Sequence, residues 1–233
     1  MINAYIKADK TVLTFASKEE QFDYLRKNKE LLKIEKIATF KEADGIDCLY
    51  IAKSGENINI VKDINKAIET VETGRLKVSV VINATNIIDS HLDLHLPNTW
   101  NKSVKENNMI YHLQEHKREF QKIISYPEDV KAYVVNSTFK NIGYNLDGNT
   151  QLLVFDSTID PEDNEYMFGR YKKNKVKNHS VGMMYVKIEM CINSDSKWDV
   201  EEKENWDKYI FIDRKSTRLN SSHRSLSRMP SSA

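Results

Sequence analysis

Residues 76–84 read Leu76-Lys77-Val78-Ser79-Val80-Val81-Ile82-Asn83-Ala84. So β-branched a run predicts a strand, because valine and isoleucine pack well on a pleated surface and lose rotamer freedom in a helix. Toward the C-terminus, residues 122–126, 130–139 and 151–157 have the same character, and Asp147-Gly148-Asn149 predicts a tight turn between the last two. Asp160-Pro161 predicts a helix start, with aspartate as N-cap and proline at the first helical position. Tyr166, Phe168 and Tyr171 follow, and Arg170, Lys172, Lys173, Lys175 and Lys177 suit a helix C-terminus. A further strand is predicted over 180–190. Many strands, few helices and a helix that delivers a serine to a strand predict an α+β chain. Its strand-rich domain is a mixed or antiparallel β-barrel flanked by helices.

On the N-terminal side, residues 1–73 predict a small α/β extension. Residues 11–15 read as a strand. Ser17 with Glu20 is a capping box, and Phe22, Leu25 and Leu32 repeat at helical spacing behind it. Residues 46–52 and 58–61 read as short strands. Residues 63–72 predict a second amphipathic helix, with Ile64, Ala67, Ile68 and Val71 on one side and Gly74 as its stop. No catalytic pattern is visible in this part, which reads as a structural or docking subdomain. The chain therefore divides into 1–73, a domain over 74–212 and a final segment over 213–233.

Composition narrows the function classes. The chain has 233 residues and 40% hydrophobic content, enough to bury a core. It contains no run of about 18 apolar residues, so no membrane partner is expected. A formal charge of +1, with lysine and glutamate interspersed, predicts no nucleic-acid partner. The N-terminus lacks the basic-then-apolar layout of a signal peptide. Cys48 and Cys191 have no motif spacing, which predicts a reducing intracellular compartment.

Two segments carry candidate chemistry: Glu115-His116-Lys117-Arg118-Glu119 and Asn178-His179-Ser180-Val181-Gly182-Met183. A serine hydroxyl is a poor nucleophile until a base takes its proton, so a histidine that reaches a serine is the minimum for nucleophilic acyl transfer. His91, His95, His112 and His179 compete with His116 for the role of base. His91 and His95 read as loop residues before Pro97. His179 adjoins Ser180, but neighbouring strand residues point to opposite faces. A rival reading is a zinc site: His112-Leu113-Gln114-Glu115-His116 fits H-x-x-E-H, which on a helix sets two ligands on one face with Glu115 as general base. The run Met109-Ile110-Tyr111 reads as a strand and counts against it. The lysine-rich stretch before Ser180 reads as a solvated helix face, with binding of an acidic protein as the alternative.

Three blocks resemble the tailed-phage prohead maturation proteases. Ala84 to Trp100 resembles their early motif through Asp89, Asp93, Pro97 and Trp100. The block from Tyr111 to Ile124 resembles the one carrying the catalytic histidine, here His116. The block from Asn178 to Tyr185 resembles the one carrying the nucleophile, a serine, an apolar residue and then glycine, here Ser180. The resemblance covers roughly residues 75 to 190. It implies a barrel fold shared with herpesvirus maturation proteases and a serine endopeptidase with no cofactor or metal. Its implied substrates are scaffold and major capsid protein precursors, and the enzyme itself, inside the immature virion in the host cytoplasm; an oligomer fits this setting. A zinc metallopeptidase, or a non-catalytic capsid-assembly protein on the same fold, are the alternatives. Leu92 stands where the family has a glycine. The family's third catalytic member is an acid in a strand downstream of the serine. Glu189, Asp195, Asp199, Glu201, Glu202, Glu204 and Asp207 do not sit in that context, so the third member is expected to be missing from this chain.

The last segment differs from the rest. Residues 213–233 hold seven serines, five Lys/Arg and one acid. Residues 213–223 resemble the conceptual translation of a common sequencing-library adapter, which implies a truncated product with a disordered, artefactual tail. Without the segment the net charge turns negative, and no basic-tail argument about partners survives.

Overall fold

The computed structural model describes residues 3–42, 46–47, 49–54, 57–67, 69–70, 74–89, 91–214 and 226–229. The N-terminal part contains β1 (Asn3–Ile6), β2 (Val12–Phe15), α1 (Lys18–Ala38), β3 (Lys41–Glu42), β4 (Ile46–Asp47), β5 (Tyr50–Ser54), β6 (Asn57–Val61) and β7 (Glu69–Thr70). The central part contains β8 (Leu76–Ala84), β9 (Asp93–His95), α2 (Asn101–Glu106), β10 (His112–Leu113), β11 (Ile123–Ser125), β12 (Val130–Thr138) and β13 (Asn149–Ile159). Then follow α3 (Pro161–Lys172), β14 (Asn178–His179), β15 (Gly182–Met183), β16 (Glu189–Cys191), α4 (Val200–Arg214) and β17 (Leu226–Met229).

The molecule is mixed α+β and strand-rich. Its centre is a curled antiparallel half-barrel sheet in the order β12-β13-β8-β5-β6, with β7 also pairing β8. The sheet is open rather than a closed barrel, because among the described residues β12 and β6 end it without pairing each other. Of the nine residues of β8, only Lys77 is exposed. The reason is that both faces of the sheet are covered, and a strand buried on both sides needs a continuous apolar run rather than an alternating one. On one face Val78, Val80, Ile82, Leu153, Phe155 and Ile159 pack against Trp100, Tyr171, Val181 and Met183. On the other, Val81, Leu152 and Val154 pack against Leu49, Ile51, Phe139 and Ile142. Truncating any of these fully buried aliphatic side chains is expected to cost about 2–5 kcal/mol.

Hydrogen bonds cross the division expected near residue 73. Tyr50 pairs Val80, so β5 and β6 extend the central sheet. β3 and β4 pair β15 and β14. The Ser17 half of the capping box forms, with Ser17 Oγ accepting from Glu20 N at 3.1 Å, while the Glu20 carboxylate accepts from Ala16 N, one residue before the cap, at 2.8 Å. Phe22, Leu25 and Leu32 are buried against Tyr5, Met190 and Ile192.

Several expectations need correction. The described residues of 63–72 do not form the expected helix: a 3-10 turn at Ile64–Lys66 is followed by β7, and residues 68, 71 and 72 lie outside the described residues. Ile64, Ile68, Thr70 and Val71 are β-branched, and ladder pairing of Thr70 with Leu76 beats their weak helical preference. The β12–β13 connection is a ten-residue loop containing a 3-10 turn, Lys140–Ile142, rather than a tight turn, since the ladder closes at Thr138 and Asn149. The apolar run Met109-Ile110-Tyr111 is irregular, and the strand starts after it, at His112. The strand expected over 180–190 is broken into β15 and β16, which pair with different partners. His95 is a buried strand residue rather than a loop residue. The tail is not disordered throughout: α4 runs to Arg214, and β17 pairs β16 antiparallel and β9 in parallel. Backbone ladders are indifferent to sequence, so an open edge can order a polar segment. No helix among the described residues is long and apolar enough to cross a membrane.

Candidate active site

Ser180 and Val181 lie between two short ladders. Before them, Asn178 and His179 pair with Asp47 and Ile46; after them, Gly182 and Met183 pair with Glu42 and Lys41. The Ser180 segment is thus held from both sides by the N-terminal part of the chain. α3 leads into it. Asp160 caps the first turn by accepting from Glu162 N at 2.8 Å. Asn164 breaks the helical path, and its side-chain amide donates to Ile123 O at 3.0 Å, pinning α3 to β11.

His116 approaches from a turn after β10. Lys117 N donates to Gln114 O at 3.1 Å, and the two central residues, Glu115 and His116, have φ of 53° and 54°. Positive φ at both central positions is the signature of a type I′ turn, normally filled by Asn-Gly. Holding two non-glycine residues there costs about 1–2 kcal/mol each. The return is a projecting imidazole: His116 Nε2 stands 2.7 Å from Ser180 Oγ. Both residues are half-buried, at a cleft of about 830 Å³. Burial lowers the His116 pKa, and the nearby charge of Glu42 opposes that shift. The ring is therefore neutral at neutral pH and able to accept a proton. A smaller cavity of about 320 Å³, beside Asp129 and Asp156, contains no histidine.

The other histidines have different partners. His112 Nδ1 is 2.9 Å from Ser157 Oγ, which is 2.7 Å from Ser125 Oγ. Tyr171 OH lies 3.0 Å from His112 Nε2 and 2.9 Å from His179 Nε2. Tyr171 has one proton to donate, so it donates to one imidazole, whose accepting nitrogen must be bare, and accepts an N–H from the other. Burial, with the facing His179 as a smaller influence, pushes His112 down to about 3, and burial pushes His179 down to about 4. No helix spans residues 108–120, so His112 and His116 do not share a helical face. Among the described residues no cluster of three or more metal-ligating side chains exists. The geometric basis of the zinc reading is gone.

The early-motif acids form a buried ionic cluster. Asp93 takes ion pairs from Lys36 and Lys41, and Tyr185 OH donates to its Oδ2 at 2.6 Å. Asp89 pairs with Lys41 and accepts from the backbone N–H of His91 and of Asp93, each at 2.9 Å. Burial pushes Asp93 up, but the two ammonium groups outweigh it and hold the carboxyl at about 2. These acids touch neither Ser180 nor His116. They fix α1 and β3, and β3 in turn lies against β15. Sequence reasoning missed Lys36, Lys41, Ser125, Ser157 and Tyr185. Their only signal was a polar residue at a core position, which no local pattern distinguishes from a solvated one.

Among the described residues no carboxylate is hydrogen-bonded to His116. Of the acids after Ser180, Asp199 is held by Arg26, Glu201 and Glu202 by Lys29, Asp207 by Lys203 and Glu189 by Lys187. Comparison with protein-family models, with curated proteins and with solved structures finds no match for this chain.

Proposed function

We propose that the chain is a serine endopeptidase with Ser180 as nucleophile and His116 as general base, of the kind that processes scaffold and capsid precursors in an assembling phage head. The reading is supported above all by the 2.7 Å approach of His116 Nε2 to Ser180 Oγ. The two residues are 64 apart in sequence, and their meeting is the arrangement acyl transfer needs. The Ser180 proton passes to His116 Nε2 as Oγ bonds to the peptide carbonyl carbon. It then passes to the leaving amine as the C–N bond breaks. Water, deprotonated by the same imidazole, attacks the acyl-enzyme and releases Ser180. Exposed Met109, Tyr166, Met184 and Val186 line the cleft and offer apolar contacts to an extended peptide. The scaffold and capsid substrates rest on the resemblance of the three sequence blocks alone.

The test is co-expression of the chain with candidate capsid and scaffold precursors, read by intact mass, for wild type and Ser180→Ala and with chelator present. Cleavage lost in Ser180→Ala and retained with chelator is the expected result. Cleavage that survives Ser180→Ala sinks the serine mechanism. The absence of cleavage, combined with failure of a fluorophosphonate to label Ser180, leaves the non-catalytic assembly role as the better account.

A further inference from the structure

The His116 ring has a second nitrogen, and the residues around it come from the part of the chain that carries no visible catalytic pattern. A β-carbon built on Gly182 would stand 2.9 Å from His116 Nδ1 and 2.5 Å from Phe40 Cζ. The face of β15 that carries this missing β-carbon is therefore the face toward Nδ1. Gly182 pairs directly with Glu42 in the antiparallel ladder. Directly opposed residues in such a ladder project to the same face, with β-carbons about 4.5–5.5 Å apart. The alternation of β3 agrees. Phe40 and Glu42 share one side, and Lys41 between them points the other way, into the cluster with Asp89 and Asp93. Glu42 is exposed and forms a long ion pair with Lys10 at 3.7 Å, and its negative charge acts on the His116 imidazole.

We propose that Glu42 is the positioning acid of the site: from the N-terminal part of the chain, it stabilises the imidazolium that forms when Ser180 loses its proton. The inference rests on the serine-protease reading and supplies that reading with the acid that the segment after Ser180 lacks. Glu42 acts through charge and through Phe40-Gly182 packing around Nδ1, without a direct hydrogen bond in the resting site. The charged residues beside His116 in sequence are engaged with other partners. Glu115, on the same turn, is drawn to Lys122 at 3.7 Å and Lys117 at 3.9 Å. Arg118 stacks over the Tyr111 ring. Lys10, paired with Glu42, weakens its field.

The test combines two readouts on the full chain. Ser180 labelling by a fluorophosphonate is timed across pH, and the His116 ring is titrated by NMR, with His116→Gln giving the assignment. The variants are Glu42→Gln, Glu42→Asp and Lys10→Met. Glu42→Gln is expected to slow labelling about 2- to 5-fold and to move the His116 titration to lower pH. Glu42→Asp should restore most of the rate, and Lys10→Met should move the titration the other way. The Glu42→Gln deficit should shrink in 1 M salt, which a purely structural defect would not do. If Ser180 labels normally and Glu42→Gln changes neither rate nor titration, the inference falls and the serine reading stands. If wild type does not label at Ser180 at any pH, both fall.

Discussion

Two histidine–hydroxyl constellations stand side by side in this molecule, four residues apart in sequence, and they could hardly differ more. His112 is buried, with both ring nitrogens satisfied by Ser157 and Tyr171, on the short strand β10. His116 is half-buried, on a turn with two left-handed residues, and faces one serine at the edge of a cleft. The enclosed set gives up its chemistry: rings held neutral down to pH about 3 and about 4 take up protons only in strong acid. The open one keeps a proton acceptor next to a serine hydroxyl and carries backbone strain that the fold around it must offset. Burial and satisfaction, not the residue types, separate the enclosed histidine from the open one here.

The sharpest way to break this comparison is a pair of substitutions. His116→Ala is expected to reduce Ser180 acylation by about 10³- to 10⁶-fold while leaving the melting temperature nearly unchanged. Tyr171→Phe is expected to do the reverse. It leaves both His112 and His179 without their partner, at about 1–3 kcal/mol for each orphaned nitrogen, while acylation measured below the melting point changes less than tenfold. Timed fluorophosphonate labelling and thermal melts on the same samples decide it. A large rate loss in Tyr171→Phe would mean the buried chain serves the reaction.

Acid should separate the two sets next. His95, His112 and His179 have folded pKa values depressed to about 4, about 3 and about 4, chiefly by burial. An unfolded histidine binds its proton near pH 6.5, so between that pH and the folded values the unfolded state holds more protons. Their stabilising contribution is therefore fully present above pH 6.5 and is lost as pH falls toward 3–4. The slope is up to about 1.4 kcal/mol per pH unit for each ring. Asp93 adds a loss of the same sign only below about pH 3.8, where its unfolded form protonates. Urea melts at pH 7, 6 and 5 should show falling stability. A flat profile would mean that the network is not buried in solution.

Gly182 tests the open site more gently. An alanine there would bring its β-carbon to 2.9 Å from His116 Nδ1. The Phe40 ring can swing away because it is exposed, but the imidazole cannot move without lengthening its bond to Ser180. Gly182→Ala is expected to lower the acylation rate about 10²-fold with a stability change under about 1 kcal/mol. An unaltered rate would show that the Nδ1 side is loose, which would also weaken the role assigned to Glu42.

The sequence was most legible where one local rule decides. The continuous β-branched runs of β8 and β13 and the Asp160-Pro161 helix start are settled within a few residues of chain. The His116–Ser180 pair was reached through the order of three short blocks, and nothing local shows that they meet. The rest depends on pairing between distant segments. β3 and β4 look like fragments of an N-terminal unit until they are seen paired to β15 and β14, with Lys41 facing inward. Lys36 and Lys41 are charges at core positions, and the carboxylates that balance them, Asp89 and Asp93, stand some fifty residues away. Glu115-His116 carries no turn residue, so nothing announces a left-handed pair. Leu92, standing where the resembled family has glycine, does have φ of 62°, which is the conformation a glycine would favour.

That strained turn gives the smallest and most specific test of the contrast. Glu115 is exposed, and its carboxylate makes two long ion pairs, at 3.7 and 3.9 Å. Such surface pairs contribute about 0–1 kcal/mol. Its φ of 53° costs about 1–2 kcal/mol in a residue with a β-carbon and nearly nothing in glycine, although glycine also gains freedom in the unfolded chain. Glu115→Gly is thus expected to be neutral or to stabilise by up to about 1 kcal/mol, with the acylation rate within about threefold of wild type. Denaturant melts measure the first quantity and timed labelling the second. If stability falls by more than 1 kcal/mol, the turn is not strained as described, and His116 owes its position to contacts rather than to backbone held against its preference. If stability rises while the rate drops well beyond threefold, the strain itself holds the imidazole on Ser180, which is the difference between the open and the enclosed histidine in its plainest form.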